Sequence, residues 1–167
     1  AGVDTITADT VVLNSTAGSI GAVGATVNIN ANNLTANAAA ASQNVYISEG
    51  DSVELLGTQS AGATYSLSAA NSITNTTGAD TITATDVVLS ATTGSIGATG
   101  ARVNTTATNL TANAGTNVFI EETDGVELSG AQSATSGTYD LLAAGNITNT
   151  AGVDTITADT VVLNSTA

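Results

Sequence analysis

The sequence predicts an all-β chain that folds as a right-handed parallel β-helix, a form of β-solenoid. Three observations predict this fold. The whole chain is a tandem repeat, short pairs of apolar residues recur along it, and the residues that fill a conventional globular core are scarce. Apolar residues make up 42% of the chain but aromatic residues only 2%, with no Trp and no Met. The core must therefore be narrow and built from Val, Ile, Leu and Ala.

The repeat is most visible at the two ends, because Ala1–Ala17 and Ala151–Ala167 are identical. Between them, the stretch GSIGAVGATVN recurs as GSIGATGARVN, and NVYISEGDSVEL recurs as NVFIEETDGVEL. We expect the chain to be a slice of a longer array rather than a protein with true ends. The sequence divides into repeat unit 1 (residues 1–76), repeat unit 2 (residues 77–150) and the start of repeat unit 3 (residues 151–167), all in one continuous solenoid.

Each unit contains short strands. Apolar residues spaced i and i+2 share one face of a strand, and no helical 3.6-residue stripe is sustained anywhere. The pairs in unit 1 are Val11/Leu13, Val27/Ile29, Val45/Ile47, Val53/Leu55 and Tyr65/Leu67. Dividing the unit into about four coils of about 19 residues gives segments that cannot bury their apolar faces alone but can when stacked. The predicted segments are Val3–Ala22, Val23–Ser42, Gln43–Ala61 and Gly62–Thr77.

The winding is expected to be right-handed, as in almost all parallel crossovers. Two other folds fit the sequence less well. An antiparallel sandwich needs longer strands and more aromatic residues. A disordered chain does not keep regularly spaced apolar pairs. Asn residues fall where the chain must turn between strands, which suits their tolerance of turn conformations.

The charges are few and of one sign. Fourteen carboxylates face a single base, Arg102, which gives a net charge of −13. Nucleic acids and anionic lipids are therefore unsuitable partners, since both require clustered Lys and Arg. The chain has no Cys and no His, which excludes disulfides, thiolate metal sites and the commonest general base. No apolar run reaches the length of a membrane span, so we expect no direct membrane insertion.

Coils of this length, the GSIG and AAGNIT turns, and the phrase TITADTVVLNSTAGSIG resemble the repeat region of filamentous-haemagglutinin-like adhesins, the exoproteins of bacterial two-partner secretion. The resemblance covers the whole chain. It implies a right-handed β-helical shaft that is secreted and displayed as a fibre at the cell surface. It also implies attachment to glycans or proteins of other cells or of the matrix. The amino-terminal secretion domain that marks the family is not in this sequence.

Two acidic clusters are the candidate sites for chemistry. Glu49, Asp51 and Glu54 form the first, and its counterpart contains Glu121, Glu122, Asp124 and Glu127. The spacing predicts that Glu49 and Asp51 share one strand face, as would Glu122 and Asp124. Two carboxylates at a suitable distance are the minimum for a glycosidase. A lyase is disfavoured, because the only base, Arg102, has Thr26 as its counterpart in unit 1.

Carboxylates also suit calcium. The sequence GADTIT at residues 78–83 echoes calcium-binding β-rolls, but it lacks their glycine-rich pattern. Exposed acidic turns are the preferred interpretation of both clusters. The Thr-x-Thr stretches at Thr5–Thr7 and Thr81–Thr83 raise an ice-binding hypothesis, which requires Thr on every coil.

Glycosylation is the functional interpretation of the sequons, which also arise by chance in a chain this rich in Asn and Thr. These sequons begin at Asn14, Asn33, Asn75, Asn104, Asn109, Asn146 and Asn164.

The sequence therefore predicts a structural protein: the shaft or spacer of a long extracellular bacterial adhesin. We expect no enzyme, and no catalytic, cofactor-binding or metal-binding residue. Two alternatives remain open. One is a self-assembling extracellular filament or sheath, in which copies associate laterally or end to end. The other is a carbohydrate-active β-helix that depends on Glu49 and Glu122.

Overall fold

The structure, a computed structural model, describes residues 5–150 and 154–166. The extreme starts of units 1 and 3, at residues 1–4 and 151–153, lie outside the described residues, as does residue 167. The described residues contain fourteen strands and no helix, hence no helix long and apolar enough to cross a membrane. The strands are β1 (Thr5–Asn14), β2 (Val27–Ala41), β3 (Val45–Glu49), β4 (Val53–Leu55), β5 (Gln59–Gly62), β6 (Thr64–Ala69), β7 (Ile73–Thr74), β8 (Thr81–Ala91), β9 (Val103–Ala114), β10 (Val118–Glu122), β11 (Val126–Leu128), β12 (Ala131–Ala143), β13 (Ile147–Thr148) and β14 (Thr155–Ser165).

The chain is a β-solenoid of about seven coils, and its strands pair in parallel with those of the next coil. This confirms the predicted fold class. One inward-facing ladder follows the solenoid through every coil. In chain order its members are Ile6, Ile29, Glu49, Ala69, Ala91, Ala114, Ala134 and Ala158. The ladder crosses from unit 1 to unit 2 and on to unit 3 without a break, so the units form one continuous solenoid.

The predicted coil length was wrong. Successive coils are about 22 residues apart rather than about 19. Two units therefore span about seven coils, and each unit spans about three and a half rather than four. The estimate of 19 assumed that a repeat unit must contain a whole number of coils. The structure has no such requirement, because opposite sides of the core accept the same kinds of small apolar residue.

The half coil places equivalent residues of the two units on opposite sides. Glu49 belongs to the ladder just described. Its counterpart Glu122 belongs to a different ladder, with Thr105 and Ala143. In the chain, Glu122 falls between Ala114 and Ala134, which are successive members of the first ladder. Glu122 is therefore about half a coil away from the side on which Glu49 lies.

Two broad outer faces follow from this arrangement. Face A is defined by an outward row that runs through all the coils: Thr5, Asn28, Ser48, Ser68, Ser90, Asn113, Ser133 and Thr157. Face B is defined by the row Asn14, Asn37, Ser60, Thr83 and Thr106. Members of the second row alternate along the chain with members of the first, so the two faces lie half a coil apart.

The core is a single cluster of aliphatic residues with two buried tyrosines, Tyr65 and Tyr139. The predicted pairs Val45/Ile47, Val53/Leu55 and Tyr65/Leu67 are almost fully buried, whereas Leu13 and Val27 of the two other pairs are only partly buried. Alternation puts every second side chain of a strand inside and leaves Ser, Thr and Asn outside. The handedness of the winding stays a prediction.

Candidate functional sites

The acidic clusters are not the exposed pairs that the spacing predicted. Glu49 is only 2% exposed and points into the core at the end of β3, whereas Asp51 lies in the exposed turn that follows. Glu122 is 1% exposed, and Asp124 is again in an exposed turn. The prediction that the members of each pair share a strand face was wrong, because the strand ends at the glutamate and the chain turns before the aspartate.

Each buried glutamate hydrogen-bonds to backbone of the preceding coil. The Glu49 carboxylate accepts from the backbone N–H of Ala31 at 3.0 Å and from that of Asp51 at 3.1 Å. The Ala31 N–H faces the break between β3 and β4, where no strand residue can accept its hydrogen bond. An unpaired buried N–H is costly, so the side chain of Glu49 replaces the missing partner.

Glu122 plays the same role in unit 2. Its carboxylate accepts from the Thr105 hydroxyl at 2.7 Å and from the Ala107 N–H at 3.1 Å. Burial raises the pKa of Glu49, and its backbone hydrogen bonds oppose that rise. Burial likewise raises the pKa of Glu122, and the neighbouring Asp124 adds to the rise. These two glutamates form part of the core and are poorly placed to meet a solvent-borne substrate.

A buried glutamine, Gln59, hydrogen-bonds to the backbone of β2 a few residues beyond Ala31. The Gln59 side chain accepts from the Ala36 N–H at 2.7 Å and donates to the Leu34 carbonyl at 2.9 Å. Its oxygen also accepts from the Tyr65 hydroxyl at 3.0 Å. Burial raises the pKa of Tyr65 above its usual range, which keeps its hydroxyl a donor.

Unit 2 repeats this arrangement with Gln132, which accepts from the Ala112 N–H at 2.6 Å and from the Tyr139 hydroxyl at 3.1 Å. Sequence reasoning missed both glutamines. A usable signal existed: only three Gln occur in the chain, and two of them precede a Tyr by six or seven residues in equivalent positions.

The aspartate of the GADTIT stretch holds a turn. Asp80 accepts from the Gly57 N–H at 2.7 Å and from the Thr77 hydroxyl at 2.9 Å. Asp154 is its counterpart and accepts from the Gly130 N–H. Both glycines have positive φ. Within the described residues, no group of three or more Asp or Glu is placed to hold a metal ion, so the calcium hypothesis has no geometric support there.

Arg102 joins three coils. Its guanidinium donates to the Asp140 carboxylate at 2.7 Å, to the Ile120 carbonyl at 3.1 Å and to the Asp140 carbonyl at 3.2 Å. It also lies 5.9 Å from the centroid of the Phe119 ring. The counterparts of Arg102 and Asp140 in unit 1 are Thr26 and Ser66. The pair therefore belongs to unit 2 alone and acts in packing.

The threonines and sequons are used mainly in the structure itself. Thr5 and Thr157 share their outward row with Ser and Asn on the six coils between them, so this row lacks the continuous Thr that the ice-binding hypothesis requires. Asn75 is fully buried, and its amide donates to two backbone carbonyls. The side-chain amide of Asn109 donates to Asp86. Three other sequon asparagines, Asn14, Asn146 and Asn164, are exposed.

The described residues line several open depressions. One, of about 390 Å³, lies between coils and is lined by Thr83, Thr85, Thr106, Thr108 and Asp124, among others. It contains one carboxylate and no base.

In comparisons with known proteins, no family model, no curated protein and no solved structure matches the chain.

Proposed function

We propose that this chain is a segment of the shaft of a long extracellular bacterial adhesin displayed at the cell surface. The observation that carries the proposal is the inward ladder from Ile6 to Ala158, which passes through both unit junctions without a break. A stack that continues from unit to unit gives length in proportion to the number of units, and it resists bending because each coil is hydrogen-bonded to the next.

The distribution of polar groups supports the same function. Glu49, Glu122, Gln59 and Gln132 all have buried hydrogen-bond partners within the stack. Their role is to complete the hydrogen bonding of neighbouring coils. The proposal assigns no catalytic step and no cofactor to the chain. Contact with glycans or proteins of other cells would come from repeated surfaces along the fibre, whose combined binding gains from multivalency.

Immunogold electron microscopy of the producing cells tests this proposal. An antibody against the repeat should label fibres that project from the surface, at intervals along their length. Label confined to the cytoplasm, or found only on compact particles in the medium, would contradict it. The enzyme alternative needs a separate assay. We expect the unaltered chain to release no reducing sugar from a polysaccharide. Release that is abolished by Glu49→Gln and Glu122→Gln would support the enzyme alternative.

The filament alternative is a self-assembling extracellular filament or sheath, in which copies of the chain associate laterally or end to end. Assembly that depends on protein concentration in sedimentation experiments would favour this alternative.

A further inference from the structure

Each unit carries a small hairpin that interrupts a strand of the solenoid. On face A, Ile20 pairs with Val45 and Val27 pairs with Ile47. One residue, Tyr46, separates the two partners in the later coil, but Gly21–Thr26 separates them in the earlier coil. The earlier coil therefore contains five extra residues. They form an excursion between Ile20 and Val27, which are neighbouring inward positions of the strand. The excursion is closed by Ala22 and Ala25, which exchange two backbone hydrogen bonds of 3.0 Å.

Unit 2 has the same insertion on face B. Ile96 pairs with Val118 and Val103 pairs with Ile120, so that Gly97–Arg102 stands opposite the single residue Phe119. Ala98 and Ala101 close this hairpin with two backbone hydrogen bonds of 2.9 and 3.0 Å. The half coil per unit is the reason that the two hairpins lie on different faces.

The base of each hairpin lies tightly against the next coil. Gly21 has φ of 71°, and a Cβ added there would lie 2.5 Å from the Tyr46 carbonyl oxygen. The tip is free of the body: Val23 is 81% exposed, and nothing lies within 4 Å of a Cβ added at Gly24. The hairpin therefore has a fixed base and projects from the face into solvent.

Face A has little of the protection against lateral pairing that charges usually give. Among the outward residues of β3, β6, β8, β9 and the start of β12, the one charged side chain is Asp86, which is half-buried and accepts a hydrogen bond from the Asn109 amide at 2.7 Å. The two outward rows beside it are uncharged between Tyr46 and Ser133: Tyr46, Ser48, Ser66, Ser68, Val88, Ser90, Thr111, Asn113, Ala131 and Ser133. Flat uncharged faces with ladders of Ser, Asn and Thr are suited to sheet-on-sheet packing at about 10 Å. A net charge of −13 opposes the approach of two copies, but salt screens that repulsion beyond about 10 Å.

We propose that the hairpins are spacers that keep the broad faces of two shafts from packing against each other. A tip that stands two residues above the sheet rises by about 7 Å, which fills most of the gap that packed sheets leave. One hairpin per unit protects both faces because successive units turn by half a coil. The excluded partner is a second copy of this chain, and the consequence is that shafts stay single.

The structure itself supplies the test variant. In the later coil one residue spans the same ladder positions, so Gly21–Thr26 can be replaced by a single Ser, as in the stretch Tyr65–Ser66–Leu67. We expect this variant to self-associate in sedimentation velocity at concentrations where the unaltered chain sediments as a monomer. Adding Ser68→Asp to the same variant should restore the monomer, because it places a charge on the uncovered face.

Two further variants serve as controls. Deleting only Val23 and Gly24 lowers the tip while keeping Gly21, and it should shift association in the same direction if the full replacement fails to fold. Val23→Ser keeps the height of the hairpin and should leave the monomer unchanged. Circular dichroism confirms that each variant is folded. A folded variant that lacks the hairpin and stays monomeric overturns the proposal. So does an unaltered chain whose association is lost on Val23→Ser, since the hairpin would then be a contact and not a spacer.

Discussion

Glu49 and Glu122 occupy the same position of successive repeat units, yet they lie on opposite sides of the solenoid. Glu49 stacks between Ile29 and Ala69, and Glu122 stacks between Thr105 and Ala143. Both are buried, and each accepts a backbone N–H of the preceding coil. A unit of about three and a half coils therefore uses the same buried anchors on alternating sides of one core.

The buried glutamines are expected to matter more for stability than the tyrosines that donate to them. Gln59→Leu leaves the Ala36 N–H and the Tyr65 hydroxyl without the acceptor they share, at a cost of about 1–3 kcal/mol for each group, while the Leu34 carbonyl keeps the Leu56 N–H. Tyr65→Phe removes one donor, and the Gln59 oxygen still accepts from Ala36, so the loss should be about 1 kcal/mol. Urea midpoints of the two variants measure the difference. Equal midpoints would contradict the bridging role of Gln59.

Stability should depend on pH through the buried glutamates. Burial raises the pKa of Glu49 and of Glu122 above the ordinary carboxyl value of 4.5, so folding takes up protons between the ordinary and the raised value. The free energy of unfolding then falls as pH rises through that window and is highest below it. Glu49→Gln and Glu122→Gln together should flatten this slope in denaturation series at several pH values. Glu121→Gln, at an exposed position of β10, serves as the control and should leave the slope in place.

Gly97 and Gly100 lie in the same hairpin and offer a matched pair. Gly97 has φ of 68°, and an added Cβ would lie 2.4 Å from the Phe119 carbonyl oxygen. Gly100 has no atom within 4 Å of an added Cβ and no positive φ. Gly97→Ala should cost roughly 1–3 kcal/mol, and Gly100→Ala less than about 0.5 kcal/mol. Thermal unfolding distinguishes them, and similar losses in both would contradict the tight base of the hairpin.

The ion pair of unit 2 can be converted to the residues of unit 1. Arg102→Thr removes the partner of a half-buried carboxylate and should cost roughly 1–3 kcal/mol. Adding Asp140→Ser should recover most of this loss, because unit 1 folds with Thr26 and Ser66 at these positions. A double variant no more stable than Arg102→Thr alone would show that the pair does more than balance its own charges. Denaturant midpoints of the three chains complete the cycle.

The sequence predicted the inward residues well, because alternating pairs such as Val45/Ile47 have the same spacing as the pleat of a strand. It did not predict the coil length, because the repeat length and the coil length are independent when both sides of the core accept the same side chains. It also placed Glu49 on the surface. Residue type favours exposure of a carboxylate, and only the break between β3 and β4 creates the unpaired N–H that draws Glu49 inside.

The half-coil turn of each unit is tested most directly by distances between spin labels, which the absence of native Cys makes simple. Ser48 and Ser133 share one outward row and lie four coils apart, so labels there should be separated by about 19 Å. Labels at Ser48 and Glu121 sit on equivalent positions of the two units. We predict a longer distance for this second pair, roughly 25 Å or more, although its residues are closer in sequence. A distance for Ser48 and Glu121 equal to or shorter than that for Ser48 and Ser133 would place successive units on the same side and contradict the account.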